Sequence, residues 1–140
     1  MVELKKAALI FTDYTVNKIE YMNNNEFKSS DAVQLKTDFN SEFVPQSERG
    51  NFDIKLGVKI FENPKENNYP FYICAELTGH FEVMDSDVEN LEQFAKINAT
   101  SILFPYLRAL ISTVTANANV PALILPPANI IKMLEENKKE

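Results

Sequence analysis

Histidine, cysteine and glycine, three residue types on which many active sites depend, are scarce in this chain. Its 140 residues include one histidine, one cysteine and three glycines. Every Ser-His-Asp or Cys-His arrangement would have to use His80, and Cys74 alone cannot form an internal disulfide or a cysteine metal site. The glycines at positions 50, 57 and 79 are too scattered for a phosphate-binding loop. We therefore expect a protein that is not an enzyme, with no catalytic residue and no cofactor.

The single histidine lies in a stretch of alternating polar and apolar residues. In a strand, this alternation would place His80 on one polar face with four neighbours, Cys74, Glu76, Thr78 and Glu82. Cys74 and His80 would then lie roughly 20 Å apart, at about 3.3 Å per residue, too far for proton transfer. A surface or interface histidine is the simplest interpretation. A metal held by Glu76, His80 and Glu82 is the alternative, which their nearly linear row disfavours.

Basic clusters and long apolar runs are also missing. Fourteen Lys and Arg against twenty Asp and Glu give a net charge of −6. This balance disfavours a surface for nucleic acid or anionic membrane, because both require cationic neutralisation. The apolar residues 7–11 are too few for a signal-peptide core, and no run reaches the ~18 residues of a membrane span. We expect a cytoplasmic protein that binds no nucleic acid and inserts into no membrane.

The first part of the chain has the period-two pattern of β-strands. Apolar and polar residues alternate in residues 52–60 and again in residues 71–83, and the segment between them has turn composition. These two runs predict an antiparallel hairpin. Residues 33–40 predict a third strand. An opening strand over residues 7–21 shifts its apolar phase by one residue near Asn17, which predicts a bulge or break there.

The last part of the chain has helical spacing. Ser86 and Glu89 match a capping box, the main helix is predicted from about residue 104 to 117 with Pro105 near its N-terminus, and a last helix over residues 129–138. Strands followed by helices predict an α+β fold, a four-stranded antiparallel sheet with helices packed on one face. The length suits a single domain over residues 1–140.

Apolar residues are abundant in segments that are poor candidates for the core. They lie in a proline-bounded connector and in or beside loops: Val120, Leu123, Ile124 and Leu125, and Phe27, Phe39, Phe43 and Val44. Such side chains either clamp the connector onto the sheet or line a groove. A groove could take extended, unfolded polypeptide by apolar contact and sheet-edge hydrogen bonding. Binding of an apolar small molecule is a further possibility.

Two motifs carry a family resemblance. Residues 102–108 read Ile-Leu-Phe-Pro-Tyr-Leu-Arg, and residues 121–129 fit Pro-x-Leu-x-Leu-x-Pro-x-Asn. This pair resembles the SecB family of export chaperones, specifically over residues 91–133 and more diffusely over the strands. The resemblance implies a non-enzymatic chaperone that assembles as a homotetramer, a dimer of dimers with the main helices between two sheets.

The resemblance also implies roles for particular residues. The client-binding groove would be lined by Val33, Leu35, Phe39, Phe43, Leu123, Ile124 and Ile130. The oligomer interface would use Ile102, Phe104, Tyr106, Leu110 and Val114. The sheet face that docks the export ATPase SecA would include Asn17, Tyr21, Cys74 and Glu76.

The chain departs from the family pattern at the docking face. Asn17, Tyr21 and Cys74 stand where the family has acidic residues, and only six residues follow Leu134 where export members carry a longer tail. Three hypotheses follow. The chain is an ATP-independent holdase for unfolded or precursor polypeptides, keeping them competent for export; or it serves one client such as an antitoxin; or it carries an apolar small molecule.

Overall fold

The fold is a four-stranded sheet backed by one long helix. The computed structural model describes residues 9–28, 32–47, 50–83, 91–126 and 129–138. The elements in chain order are β1 (Leu9–Asn23), β2 (Thr37–Pro45), β3 (Asn51–Ile60), α1 (Pro64–Asn67), β4 (Phe71–Val83), α2 (Leu91–Asn117) and α3 (Ile130–Lys138). All strand pairs are antiparallel, in the order β1-β4-β3-β2, and α2 contacts every strand. The predicted α+β architecture is confirmed.

The two central strands supply most of the core. Alternate residues of β3 face α2 and are buried: Phe52, Ile54, Leu56, Val58 and Ile60. Their register partners on β4 are also buried, from Ile73 opposite Ile60 to Phe81 opposite Phe52. Each fully buried aliphatic or aromatic side chain contributes about 1.5–3 kcal/mol. The predicted hairpin of residues 52–60 and 71–83 is confirmed, and the short α1 lies in its connection.

Strand β1 contains two bulges that keep its apolar side chains on one face. The register with β4 shifts between Phe11 and Asp13 and again between Val16 and Lys18. Each extra residue restarts the alternation, so Val16 opposite Leu77 and Ile19 opposite Ala75 both face α2. The bulge predicted near Asn17 is confirmed. The strand begins at Leu9 within the described residues and continues two residues past the predicted end, to Asn23.

Helix α2 is one continuous helix, so the prediction that Pro105 opens a helix was wrong. Pro105 lies inside the 27-residue α2. The proline removes one helical hydrogen bond, from its own nitrogen to the carbonyl of Ser101, at a cost of about 3 kcal/mol. Both residues are exposed, so water can satisfy that carbonyl, while Leu103 and Leu107 on the opposite side are fully buried. The burial of Leu103 and Leu107, two residues before and two residues after Pro105, therefore outweighs this cost and keeps the helix continuous.

Other predicted boundaries fall differently. Strand β2 begins at Thr37 and ends at Pro45, so the predicted strand over residues 33–40 starts four residues too early. The predicted capping box at Ser86 and Glu89 lies outside the described residues.

Within the described residues, α2 is long and apolar enough to span a membrane by length and composition. The core helix of a protein that spans no membrane can share this property.

The connector after α2 is held by its main-chain atoms. Arg108 Nε donates to the carbonyl of Leu125 at 2.9 Å, and Ser112 Oγ donates to the carbonyl of Leu123 at 2.9 Å. The Leu123 N–H in turn donates to Thr115 Oγ1 at 2.8 Å. Helix α3 then begins beyond Asn129, whose side chain accepts a hydrogen bond from the backbone N–H of Lys132 at 3.0 Å, as an N-cap.

Candidate functional site: the apolar connector and its surroundings

The clamped connector presents three successive apolar side chains in three different environments. Leu125 is fully buried, Leu123 is half-buried against the core, and Ile124 is 71% exposed. Hydrogen bonds on both sides of Ile124 fix the backbone and hold its side chain outward. A single exposed aliphatic side chain is common on protein surfaces, and it indicates a binding site only as part of a larger apolar patch.

Beside the connector, β2 contributes an aromatic surface. Phe39 and Phe43 face the helix side of the sheet and are half-buried. The Phe39 ring lies 5.8 Å from Phe104 and the Phe43 ring 5.1 Å from Phe52, measured between centroids. Helix α3 packs against β2 and brings Ile130 to the same apolar cluster. One side of each of these side chains therefore packs in the core, and the other side is exposed to solvent.

Most of the residues expected to line a groove pack against the hydrophobic core of the subunit. Five are half-buried against one cluster: Leu35, Phe39, Phe43, Leu123 and Ile130. Val33 and Ile124 are exposed. These residues come from the segment before β2, from β2, from the connector and from α3, and we call the seven of them the connector surface. Their role in binding a client stays a prediction.

The residues expected at an oligomer interface divide between two environments. Tyr106 is 41% exposed, and Ile102, Leu110 and Val114 are half-buried. Phe104 is only 5% exposed and packs on Phe39, so its assignment to the interface is corrected to the core of the subunit. The helical repeat explains the difference, because Phe104 follows Leu103 on the side of α2 that faces the sheet.

An apolar stripe on β1 was not predicted from the sequence. Tyr14, Val16 and Ile19 face the α2 side of the sheet and are 37–46% exposed, because α2 covers the strand only in part. The stripe continues onto α2, where Tyr106 lies 4.9 Å from Tyr14 and 5.4 Å from Phe11 between ring centroids. The additional bulge, between Phe11 and Asp13, was the missing signal, since together with the bulge near Asn17 it returns the apolar residues to this face. We call Tyr14, Val16, Ile19 and Tyr106 the edge stripe.

The expected docking face of the sheet is altered in several ways. Tyr21 pairs with Ile73 and stacks on Phe71 at 5.4 Å, so its side chain lies on the α2 side and its placement on the docking face is corrected. Cys74 is buried. Asn17 accepts a hydrogen bond from Thr78. Of the four expected residues, only Asn17 and Glu76 offer side chains to solvent on that face.

Cys74 is shielded by its neighbour on the same face. Burial raises the pKa of the Tyr72 hydroxyl, and a hydrogen bond with Cys74 raises this pKa further. The pKa of Tyr21 is also raised by burial, and its hydroxyl has no partner among the described residues. These groups are therefore held neutral and packed rather than presented to a partner.

His80 has two partners that the sequence analysis missed. Its Nδ1 lies 2.9 Å from Asp53 Oδ1 on β3, and its Nε2 lies 3.2 Å from Thr15 Oγ1 on β1. Cys74 lies six residues before His80 on the same face of β4 and takes no part in these hydrogen bonds. The signal that could have found Asp53 is the hairpin register, which places Asp53 opposite His80. Within the described residues, no group of three or more His, Cys, Asp or Glu side chains could hold a metal ion.

Apolar surfaces rather than reactive groups dominate this molecule, as expected of a protein that binds other polypeptides. The family profile described as preprotein translocase subunit SecB matches residues 14–140. The chain belongs to the SecB family of chaperones, whose members are not enzymes.

Individual relatives agree with this assignment. An uncharacterized protein of Methanocaldococcus jannaschii is 39% identical over 140 residues, covering 96% of this chain and 90% of its own length. The protein-export protein SecB of Dichelobacter nodosus is 24% identical over 115 residues, covering 81% and 73%. The fold is similar to a Mycobacterium tuberculosis SecB-like chaperone in complex with an antitoxin peptide, with TM-score 0.65 at 13% identity, covering 86% of this chain and 88% of that one.

Proposed function

We propose that this chain is an ATP-independent holdase that binds unfolded or precursor polypeptides and keeps them competent for export. The observation that carries the proposal is the connector surface, in which Ile124 is held 71% exposed beside half-buried Leu123. A fixed apolar ridge next to the aromatic face of β2 suits an extended apolar segment, which needs no reactive group to bind.

Burial of apolar surface would be the main source of free energy for such binding. A client segment that buries about 400 Å² of apolar surface gains about 10 kcal/mol before the cost of ordering, at about 25 cal/mol per Å². Ordering the flexible client removes several kcal/mol of this gain. The net affinity is moderate, so a client can leave by folding or by transfer to a competing partner, without nucleotide hydrolysis.

The test is aggregation of a chemically unfolded client, followed by light scattering after dilution without nucleotide. Suppression at near-stoichiometric amounts of chaperone is expected. Unchanged aggregation of several unrelated clients would contradict a general holdase. Bovine serum albumin at the same concentration controls for nonspecific protein effects.

Restriction to a single client is the second proposal, and the altered docking face favours it. Tyr21 lies on the other side of the sheet and Cys74 is buried, so the acidic contacts with SecA implied by the family resemblance are not supplied at these positions. The similar fold of a chaperone in complex with an antitoxin peptide supports an antitoxin as the client. Calorimetric titration with SecA separates the proposals, because tight binding to SecA would contradict the restricted role.

Self-association follows from the edge stripe. We infer a homotetramer, a dimer of dimers, in which Tyr14, Val16 and Ile19 with Tyr106 on α2 are covered by other copies of the chain. The exposed side of α2 supports this proposal, because it is largely uncharged: Ser101, Pro105, Ala109 and Thr113. The expected site of action is the cytoplasm, where clients are met before export.

A further inference from the structure

A continuous row of hydrogen bonds crosses the outer face of the sheet, opposite α2. Thr15 on β1 contacts His80 on β4 at 3.2 Å, and His80 contacts Asp53 on β3 at 2.9 Å. Gln46, next to the end of β2, donates from Nε2 to the other oxygen of Asp53 at 2.8 Å. Both carboxylate oxygens are thus engaged, and the imidazole is held from both of its nitrogens.

This geometry orients the imidazole for proton transfer. With the proton on Nδ1, His80 donates to Asp53 and leaves Nε2 to accept the hydroxyl proton of Thr15. A hydroxyl, an imidazole and a carboxylate in this order form the arrangement that activates an alcohol as a nucleophile. We propose that Thr15 is a site of covalent acyl modification, with His80 as its general base and Asp53 as a positioning residue.

The surroundings select the kind of acyl donor. A shallow cavity of about 440 Å³ is lined in part by Thr12, Asp53, His80 and Glu82, and Thr15 lies outside this lining, on the other side of the imidazole contact. Asp13 lies opposite His80 on β1. Three carboxylates around the imidazole repel anionic reagents such as acyl phosphates. The site therefore suits a small, uncharged, activated ester.

The reaction is a single acyl transfer. Thr15 Oγ forms a bond to the carbonyl carbon of the ester while its proton passes to His80 Nε2. The bond from that carbon to the leaving oxygen then breaks, and the leaving group departs with the electron pair. The imidazolium returns its proton to the leaving group or to water. The product is an ester on Thr15, and no oxidant or reductant takes part.

The experiment treats the full chain with p-nitrophenyl acetate and locates the acetyl group by peptide mass spectrometry. We expect acetylation of Thr15, about a hundredfold less of it in His80→Gln, which lacks the base, and an intermediate loss in Asp53→Asn. Thr15→Ser should retain labelling because it keeps the hydroxyl. Thr113→Val is the matched control, since Thr113 is an exposed threonine on α2, and it should label Thr15 like the parent chain.

Two results would overturn the proposal. One is labelling confined to lysines or the N-terminus with Thr15 unmodified. The other is equal labelling of Thr15 in the parent chain and in His80→Gln, which would show that the imidazole does not activate the hydroxyl. Acetyl phosphate should label Thr15 faster in Glu82→Gln than in the parent chain, and an unchanged rate would contradict the role of the carboxylates. The inference is independent of client binding, so neither proposal depends on the other.

Discussion

Leu103 on α2 lies directly against Gly79 on β4. A Cβ added to Gly79 would stand 2.7 Å from both methyl carbons of Leu103 and 2.7 Å from the ring of Phe81. All three residues are buried, so none of these atoms can move into water. The absence of a side chain at Gly79 therefore sets how closely the helix approaches the sheet.

Substitution at this contact should destabilise the fold. Gly79→Ala forces the helix away from β4 or Leu103 out of its rotamer, and we expect a loss of about 1–3 kcal/mol in the free energy of unfolding. Gly57→Ala is the matched control, because the added Cβ there meets the side chain of Asn40, an exposed residue that can turn away. Denaturant unfolding measures both variants, and an equal loss in the two would contradict the contact as the cause.

The connector surface makes a second prediction. Ile124→Asp should weaken client capture about tenfold or more, because it places a charge in the apolar contact, while changing the melting temperature little, since the side chain is 71% exposed. Leu125→Ala, at the adjacent buried position, should instead cost about 2–5 kcal/mol of stability. Client binding and thermal melting are measured together. Loss of stability without loss of binding in Ile124→Asp would assign this residue to the core.

The edge stripe makes a third prediction. Val16→Asp introduces a charge on the α2 side of β1, and we expect it to reduce the mass of the assembly in multi-angle light scattering. Lys18→Asp changes the charge on the opposite face of the same strand and should leave the assembly intact. Dissociation in both variants would point to net charge rather than to the stripe.

Two half-buried tyrosines, Tyr21 and Tyr72, predict a loss of stability at alkaline pH. Burial raises the pKa of Tyr21 and Tyr72 in the folded chain, so the folded state holds these protons more tightly than the unfolded state. Their contribution is fully present below the unfolded value of about 10 and declines as pH rises past it. The double variant Tyr21→Phe with Tyr72→Phe should flatten the decline in urea midpoint between about pH 9 and 11. An unchanged slope would show that other groups cause the decline.

Local pattern was sufficient to predict some parts of the molecule. Alternation in β3 and β4 predicted the hairpin because each strand exposes one face and buries the other, and the shifted phase near Asn17 predicted a bulge. Helical spacing did not predict α2 correctly, because the penalty at Pro105 is local whereas the burial that outweighs it comes from contacts with the sheet. The inward orientation of Phe104 was missed for the same reason.

The contacts around His80 could not be predicted from hydropathy alone, although the register of the predicted hairpin places Asp53 opposite His80. They join Thr15, Asp53 and His80, which are brought together only by the strand order β1-β4-β3 and the exact offset of each pair. Of the connector surface, the sequence predicted which residues are apolar and near one another. Within the connector, the half-buried position of Leu123 and the exposed position of Ile124 depend on hydrogen bonds from α2, which hydropathy does not reveal.

The clamp on the connector has a consequence for how such a chaperone can diversify. Arg108 and Ser112 hold carbonyl oxygens, and Thr115 accepts a backbone N–H, so the path of the connector does not depend on which side chain stands at position 124. A substitution at position 124 changes the shape and polarity of the connector surface, while the backbone of the connector keeps its conformation. Under the proposed function, single substitutions at position 124 would change client preference without a compensating change elsewhere in the fold.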